Sequence, residues 1–286
     1  MKYQKLIQNA TLEALKLDKE ESAVYLLLEY VSKLSASELY LKMHQEVEKN
    51  IYEEFNVLFN RYLKDNEPVQ YLIGKSCFYG YDFKVNQNVL IPRRETEELV
   101  EQILYRYDKY FKGQKIDVCD VATGSGCIGI TLALEEPNMN VTATDISNEA
   151  LEVAKENSSL LGANVTFLQG DMLEPLANKK FDIFVSNPPY IPQSEEVMSL
   201  VKDNEPHLAL FGGSDGMKFY RIILSSVKSI LKDKALICFE HGYDKKEEMI
   251  SLAKQYFPSS HVEVLKDLEG KDRMTFIYVG DDLWEK

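Results

Sequence analysis

Asn187-Pro188-Pro189-Tyr190 carries the most chemical information in this chain of 286 residues. It follows an apolar run, Phe181 to Ser186, that reads as a buried strand. The tetrapeptide therefore falls just past a strand's C-terminal end, where open α/β sheets hold their ligands. Two adjacent prolines remove two backbone donors and fix two φ angles, leaving their carbonyls as acceptors in a stiff turn. Asn187 adds a side-chain acceptor and Tyr190 a flat apolar face. Such a pocket suits a planar NH2 group. Acceptors take its two hydrogens, the ring covers its π face, and the nitrogen lone pair is left pointing at an electrophile. Read as structure alone, the prolines end a strand and Tyr190 packs.

A second constellation lies upstream. Asp120-Val-Ala-Thr-Gly-Ser-Gly-Cys127 sits where a strand meets a helix, and Gly124, Gly126 and Gly129 match the spacing of a dinucleotide loop. Asp145 ends the next strand about twenty residues on, where a carboxylate binds the two hydroxyls of a ribose. Asp171-Met172 follows the third strand, where a side chain can flank an adenine. These residues imply an adenosine-containing cofactor. A nicotinamide dehydrogenase would turn the glycines toward a pyrophosphate; a methyltransferase would turn them toward the methionine part of S-adenosylmethionine. Hydride transfer needs a proton donor or acceptor near the substrate oxygen. The Asn-Pro-Pro-Tyr loop offers none, whereas it supplies what amine or amide methylation needs.

The elements that must position these residues fall into two regimes. The first seventy or so residues show helical periodicity only. Leu6, Ala10, Leu12 and Leu15 mark one stripe; Val24, Leu27, Leu28 and Val31 mark another. Ser35-Ala-Ser-Glu38 opens a third helix ahead of Leu39, Met43 and Val47, and Ile51 to Leu63 forms an aromatic-rich fourth. Phe78–Val85 and Val89–Ile91 around Asn86-Gln-Asn88 predict a β-hairpin, and Pro92 to Glu97 leads into a helix. From Ile116 onward strands and helices alternate. Strands are expected at 116–121, 140–144, 165–168, 181–186 and 235–240, and helices at 127–135, 147–161, 217–231 and 245–257. Two closing strands at 262–265 and 274–279 are expected to pair antiparallel. The fold class is α/β, a parallel sheet covered on both faces with an antiparallel edge.

Composition narrows the partners. With 45% hydrophobic residues the chain can bury a sizeable core. No apolar stretch reaches membrane-spanning length and no leader stands at Met1, so a soluble cytoplasmic protein is expected. Cys77, Cys119, Cys127 and Cys238 and the four histidines lack ligand spacing, and no metal is expected. A formal net charge of −13 argues against a nucleic-acid substrate and suits a basic protein partner.

Thr123-Gly-Ser-Gly126, Asp145-Ile-Ser147, Ser186-Asn-Pro-Pro-Tyr-Ile191 and Gly212-Gly-Ser-Asp-Gly216 follow one another as in class I (Rossmann-like) methyltransferases. Pro68 to Gly74, Phe78-Tyr-Gly80 and Val89-Leu-Ile-Pro-Arg93 ahead of Glu-Thr-Glu97 are similar to one family among them. That family is HemK/PrmC, the peptide chain release factor glutamine methyltransferases. The resemblance implies a small N-terminal helical domain over 1–74 that recognises the partner, a hairpin connector over 75–97, and a methyltransferase domain over 98–286. It implies S-adenosylmethionine as cofactor, contacted by Ala122, Thr123, Gly124, Ser125, Gly126, Asp145, Met172 and Asn187. It implies that Asn187, Pro188, Pro189 and Tyr190 hold the glutamine of the Gly-Gly-Gln tip of class-1 release factors. No residue is expected to act as a dedicated general base. The helical domain either docks the release factor or only stabilises its neighbour.

The chain departs from the family pattern at Ala122, where Gly is usual, at Arg94, where Pro is usual, and over Glu240-His-Gly-Tyr243. None of these is expected to touch the Asn-Pro-Pro-Tyr chemistry. Three alternatives stand beside this reading: a glutamine methyltransferase of a ribosomal protein, an enzyme acting on an exocyclic amine of nucleic acid, and a helical adaptor with a degenerate methyltransferase fold.

Overall fold

The computed structural model describes residues 1–280 and Trp284. In chain order the elements are α1 (Tyr3–Lys16), α2 (Ser22–Ser32), α3 (Ala36–Leu41), α4 (Lys49–Lys64), α5 (Val69–Ile73), β1 (Lys75–Phe78), β2 (Tyr81–Lys84) and α6 (Arg94–Tyr110). They continue with β3 (Ile116–Val121), α7 (Cys127–Glu135), β4 (Met139–Asp145), α8 (Asn148–Leu161), β5 (Val165–Gln169), β6 (Phe181–Ser186) and α9 (Ser199–Lys202). The last are α10 (His207–Leu210), α11 (Lys218–Ser226), β7 (Leu231–Glu240), α12 (Lys246–Tyr256), β8 (His261–Lys266) and β9 (Asp272–Val279).

The chain divides into two compact units, Met1–Lys75 with Val197–Asn204, and Ser76–Glu196 with Glu205–Lys286. The first unit is helical. Val24, Leu27 and Leu28 of α2 are fully buried with Phe55 of α4, whose ring stacks on Phe59 at 5.3 Å. Ser35 caps α3 through a complete capping box with Glu38. One expected stripe is displaced. Leu12 and Leu15 are 59% and 55% exposed, and α1 instead buries Tyr3, Leu6, Ile7, Ala10 and Ala14. At roughly 100° per residue, Leu12 lies on the far side of the helix from Ala10. The short segment Val197–Asn204 belongs to this unit, where Asn204 donates to the Asn66 carbonyl at 2.7 Å.

The second unit is a seven-stranded sheet of order β5-β4-β3-β6-β7-β9-β8. All neighbours from β5 to β7 are parallel, and β9 runs antiparallel to both β7 and β8. Strand residues alternate between two cores, as a doubly covered sheet requires. Val118, Ile183, Val185, Leu236 and Cys238 face one core with α6 and α7. Cys119, Phe184, Ile237 and Phe239 face the other with α11 and α12.

Two expected elements are corrected. The hairpin pairs β1 with β2 rather than 78–85 with 89–91. Its turn is Tyr79-Gly80, with φ of 51° and 82°, the left-handed pair that a tight hairpin demands. Asn86 does make a local turn, accepting from the Asn88 N–H at 2.9 Å, but Val89 and Ile91 beyond it are buried outside any strand. The expected helix over 217–231 stops at Ser226 and tightens into one 3-10 turn, Val227–Ile230. There Ser225, Ser226 and Ser229 donate back to main-chain carbonyls, a competition that weakens a helix end.

Candidate active site

Strand register brings the motifs together. Val121 pairs with Thr144 on one side and with Ser186 on the other, and Ser186 pairs with Phe239. The residues that follow these strand ends therefore emerge in one row: the Ala122–Gly126 loop, Asp145, Asn187 and Glu240. Strand order reverses at β3, the switch point where doubly wound sheets open a crevice. The Ser186 hydroxyl donates to the Val121 carbonyl at 2.6 Å and pins the two central strand ends to each other.

The loop after β3 is held by a buried carboxylate. Asp120 Oδ2 accepts from the Thr123 hydroxyl at 2.5 Å and from the Gly129 N–H at 3.0 Å. Burial pushes the Asp120 carboxyl up to about 6, opposed by those two donors. Ala122 and Gly124 both sit in the left-handed region, with φ of 61° and 57°. A Cβ on Gly124 would meet nothing within 4 Å, so the absent side chain opens wall space there. Asp145 accepts the Gly124 N–H on Oδ2 and the Ser147 N–H on Oδ1, each at 2.9 Å. Each oxygen retains a lone pair for a hydroxyl donor. Burial raises the Asp145 carboxyl and the backbone donors oppose that rise. Within the site, Met172 joins Ala122 as a non-glycine left-handed residue, φ 44°. Strain of this kind gathers at ligand sites.

Asn187 Nδ2 donates to Thr96 Oγ1 at 3.2 Å, and the Thr96 hydroxyl donates to Glu240 Oε2 at 2.6 Å. The Tyr190 hydroxyl approaches Glu240 Oε1 at 3.4 Å. Burial, with the nearby Glu240 charge, raises the Tyr190 phenol far above its ordinary range. A loop running from Leu210 to Gly216 braces the tetrapeptide from behind. Ile191 N–H donates to the Leu210 carbonyl and Gly212 N–H to the Ile191 carbonyl, at 3.0 and 2.9 Å.

A cavity of about 360 Å³ runs along this row. Ala122, Thr123, Gly124, Ser125, Asp145, Met172, Asn187 and Pro189 line it. Of the expected site residues, Gly126, Pro188 and Tyr190 do not. Gly126 precedes α7 and faces Ile130; Pro188 is buried; Tyr190 faces Glu240 and Gly242. Arg93 is at the wall too, tied to Glu205 at 2.6 Å. The residues fit an adenosine-based cofactor: a two-oxygen acceptor at Asp145, apolar side chains of Ile146 and Met172 beside it, and a wall left open at Gly124.

Thr96 and Glu240 were not among the expected site residues. The expectation that Glu240 stands apart from the Asn-Pro-Pro-Tyr chemistry is corrected: register sets it beside Asn187. The signal available was its place, an acidic residue ending an apolar run at a parallel strand's C-terminal end.

The family description Methyltransferase small domain matches residues 99–212, and PrmC N-terminal domain matches residues 8–74. The release factor glutamine methyltransferase of Bacillus subtilis is 45% identical over 264 residues, covering 89% of this chain and 90% of that protein. That of Bacillus cereus is 43% identical over 262 residues, covering 90% and 92%. A methyltransferase structure from Pyrococcus furiosus superposes with a TM-score of 0.52 at 18% identity, over 80% of this chain and 98% of that one, a likeness of fold.

Proposed function

The chain belongs to the release factor glutamine methyltransferases, and from that premise we propose how its residues perform the reaction. The enzyme uses S-adenosylmethionine to methylate a glutamine of a peptide chain release factor. We assign the acceptor as the side-chain amide nitrogen of the Gly-Gly-Gln tip of class-1 release factors. The observation that carries this assignment is the Asn187 carboxamide, whose Nδ2 is committed to Thr96 while the residue lines the cavity. Its Oδ1 is thereby left to accept from a substrate NH2.

Asp145 would take the ribose hydroxyls, and Met172 would flank the adenine. Ala122, Thr123, Gly124, Ser125 and Gly126 form the loop around the methionine part. When bound, the cofactor supplies an electrophilic sulfonium methyl. A carboxamide nitrogen is a poor nucleophile because its lone pair is delocalised, so the lever is geometry and hydrogen bonding. Asn187 Oδ1 accepts one amide hydrogen. The Pro189 carbonyl is turned against Gly212 and Pro188 lies outside the cavity lining, so Asn187 Oδ1 is the one acceptor assigned. Positioning of this kind is worth up to about 7–11 kcal/mol in intramolecular reactions. The nitrogen would gain positive charge as it takes the methyl, with the methyl–sulfur bond breaking to a neutral thioether, and the acceptor already in place would stabilise that charge. Tyr190, outside the cavity lining, is assigned to anchoring the turn through its contact with Glu240. No side chain need remove the proton beforehand; it would pass to solvent after transfer.

Exposed apolar side chains on the helical unit, Tyr40 at 74% and Leu41 at 78%, support the reading that this unit docks the release factor. Methyl transfer from labelled S-adenosylmethionine tests the assignment, with a release factor, its Gln→Ala variant, DNA and RNA offered side by side. Label on the intact release factor alone is expected. Label on the variant or on nucleic acid overturns it.

A further inference from the structure

Glu240 is 1% exposed and ends β7 beside Asn187. A carboxylate buried this deeply needs partners, and the side chains of Thr96, Asn187 and Tyr190 supply them. Oε2 accepts the Thr96 hydroxyl at 2.6 Å and Oε1 faces the Tyr190 hydroxyl at 3.4 Å. Tyr220 adds a donor to the Glu240 backbone carbonyl at 2.7 Å, which fixes the strand end itself.

The polarity of this chain of hydrogen bonds follows from proton counting. As a carboxylate Glu240 only accepts, and the Thr96 hydroxyl donates to its Oε2 at 2.6 Å. The Thr96 oxygen then has only lone pairs to offer, so Asn187 must turn its NH2 toward it. The Asn187 carbonyl oxygen is left at the other end. Without an acceptor at position 240, the Thr96 hydroxyl would be free to donate to Asn187 Oδ1. The carboxamide would then reverse and present N–H groups to the substrate's own N–H groups.

We infer that Glu240 is a positioning residue that sets the polarity of the Asn187 carboxamide through the Thr96 hydroxyl, and so selects an NH2 group as the ligand of the pocket. Its second oxygen holds the Tyr190 ring by the phenol. The inference rests on the reading that Asn187 accepts from the substrate amide. The charged and titratable groups acting on Glu240 are Arg273 of β9, Glu95 of α6, Tyr190 after β6, Tyr220 of α11 and Cys127 of α7. Burial raises the Glu240 carboxyl, while the Thr96 donor, the Arg273 charge and the Asn187 donor favour its ionised form.

The test is kcat for release-factor methylation, with S-adenosylmethionine affinity and melting temperature measured on the same proteins. Glu240→Leu and Thr96→Val each break the relay. Each should lower kcat by about tenfold to a hundredfold, the worth of a charge-assisted hydrogen bond. Cofactor affinity should stay within about twofold, since Glu240 does not line the cavity and Thr96→Val keeps the shape of the Thr96 side chain that does. Glu240→Gln, which can still turn an oxygen to Thr96, and Thr96→Ser, which keeps the hydroxyl, should recover most of the loss. If Glu240→Leu does not fold, Thr96→Val and Thr96→Ser test the same link. Near-normal kcat in Thr96→Val, or no recovery in either conservative variant, overturns the inference. Asn187→Ala in the same assay separates the two levels. Turnover in that variant sinks the reading of the pocket itself, whereas its inactivity beside an active Thr96→Val sinks only the relay.

Discussion

A Cβ placed on Gly216 would lie 2.3 Å from the carbonyl oxygen of Tyr190. No side chain fits there, and Gly216 is also left-handed, with φ of 76°. Gly212 is equally confined, 2.5 Å from the Pro189 carbonyl by the same measure. The Gly212–Gly216 loop is thus a backbone brace against which the amide pocket is set. Gly216→Ala must push the Asn-Pro-Pro-Tyr turn away. Displacements of this order cost about a hundredfold in rate. Steady-state kinetics should show that loss in kcat, with cofactor affinity retained in calorimetry; unchanged kcat would show the brace to be dispensable.

Ala122 stands in a left-handed conformation at φ 61°. A Cβ there costs about 1–2 kcal/mol relative to glycine. Ala122→Gly should relieve most of that strain and raise the melting temperature by about 2–4 °C. Cofactor affinity should hold or improve. A lower melting temperature would mean that the loop tolerates this Cβ without strain.

Asp120 makes a pH-dependent contribution whose direction follows from its raised value. The folded-state carboxyl titrates at about 6, against an ordinary value of 3.8. Between those two values the folded chain holds more protons than the unfolded one, so this group's contribution to stability declines as pH rises through the window. Above pH 6 the full cost of the buried charge, on the order of 3 kcal/mol, is present. Asp145, the neighbouring charge, is shifted the same way. Urea unfolding of the wild type and Asp120→Asn across this range should show the wild type losing ground to the variant as pH rises. A constant difference would contradict it.

The helical unit offers a separate test. Tyr40 and Leu41 are exposed and apolar. Replacing both by serine should raise KM for the release factor severalfold and leave kcat and cofactor affinity in place. An unchanged KM would return the unit to a purely stabilising role.

How much of this was legible in the sequence depends on how local the cause is. The strand over 116–121 and the helix over 127–135 coincide with β3 and α7 because buried apolar runs and a glycine loop mark their ends directly. The row formed by the Ala122 loop, Asp145 and Asn187 was readable from strand ends alone. The hairpin was misplaced because Tyr79-Gly80 competed with a second turn at Asn86, and burial of Val89 and Ile91 imitates a strand. Thr96 comes to Asn187 only through the packing of α6, which leaves no mark in local sequence. Glu240 carries a weak mark, an acidic residue closing the apolar run of β7, but only sheet register sets it beside Asn187.

The central claim is that Asn187 accepts from the substrate amide, and single-turnover methyl transfer by Asn187→Ala tests it most directly. The account predicts a rate lower by about a hundredfold to a thousandfold, as for loss of one preorganised hydrogen bond at a reacting centre, with S-adenosylmethionine still bound. Transfer at near wild-type rate would contradict it.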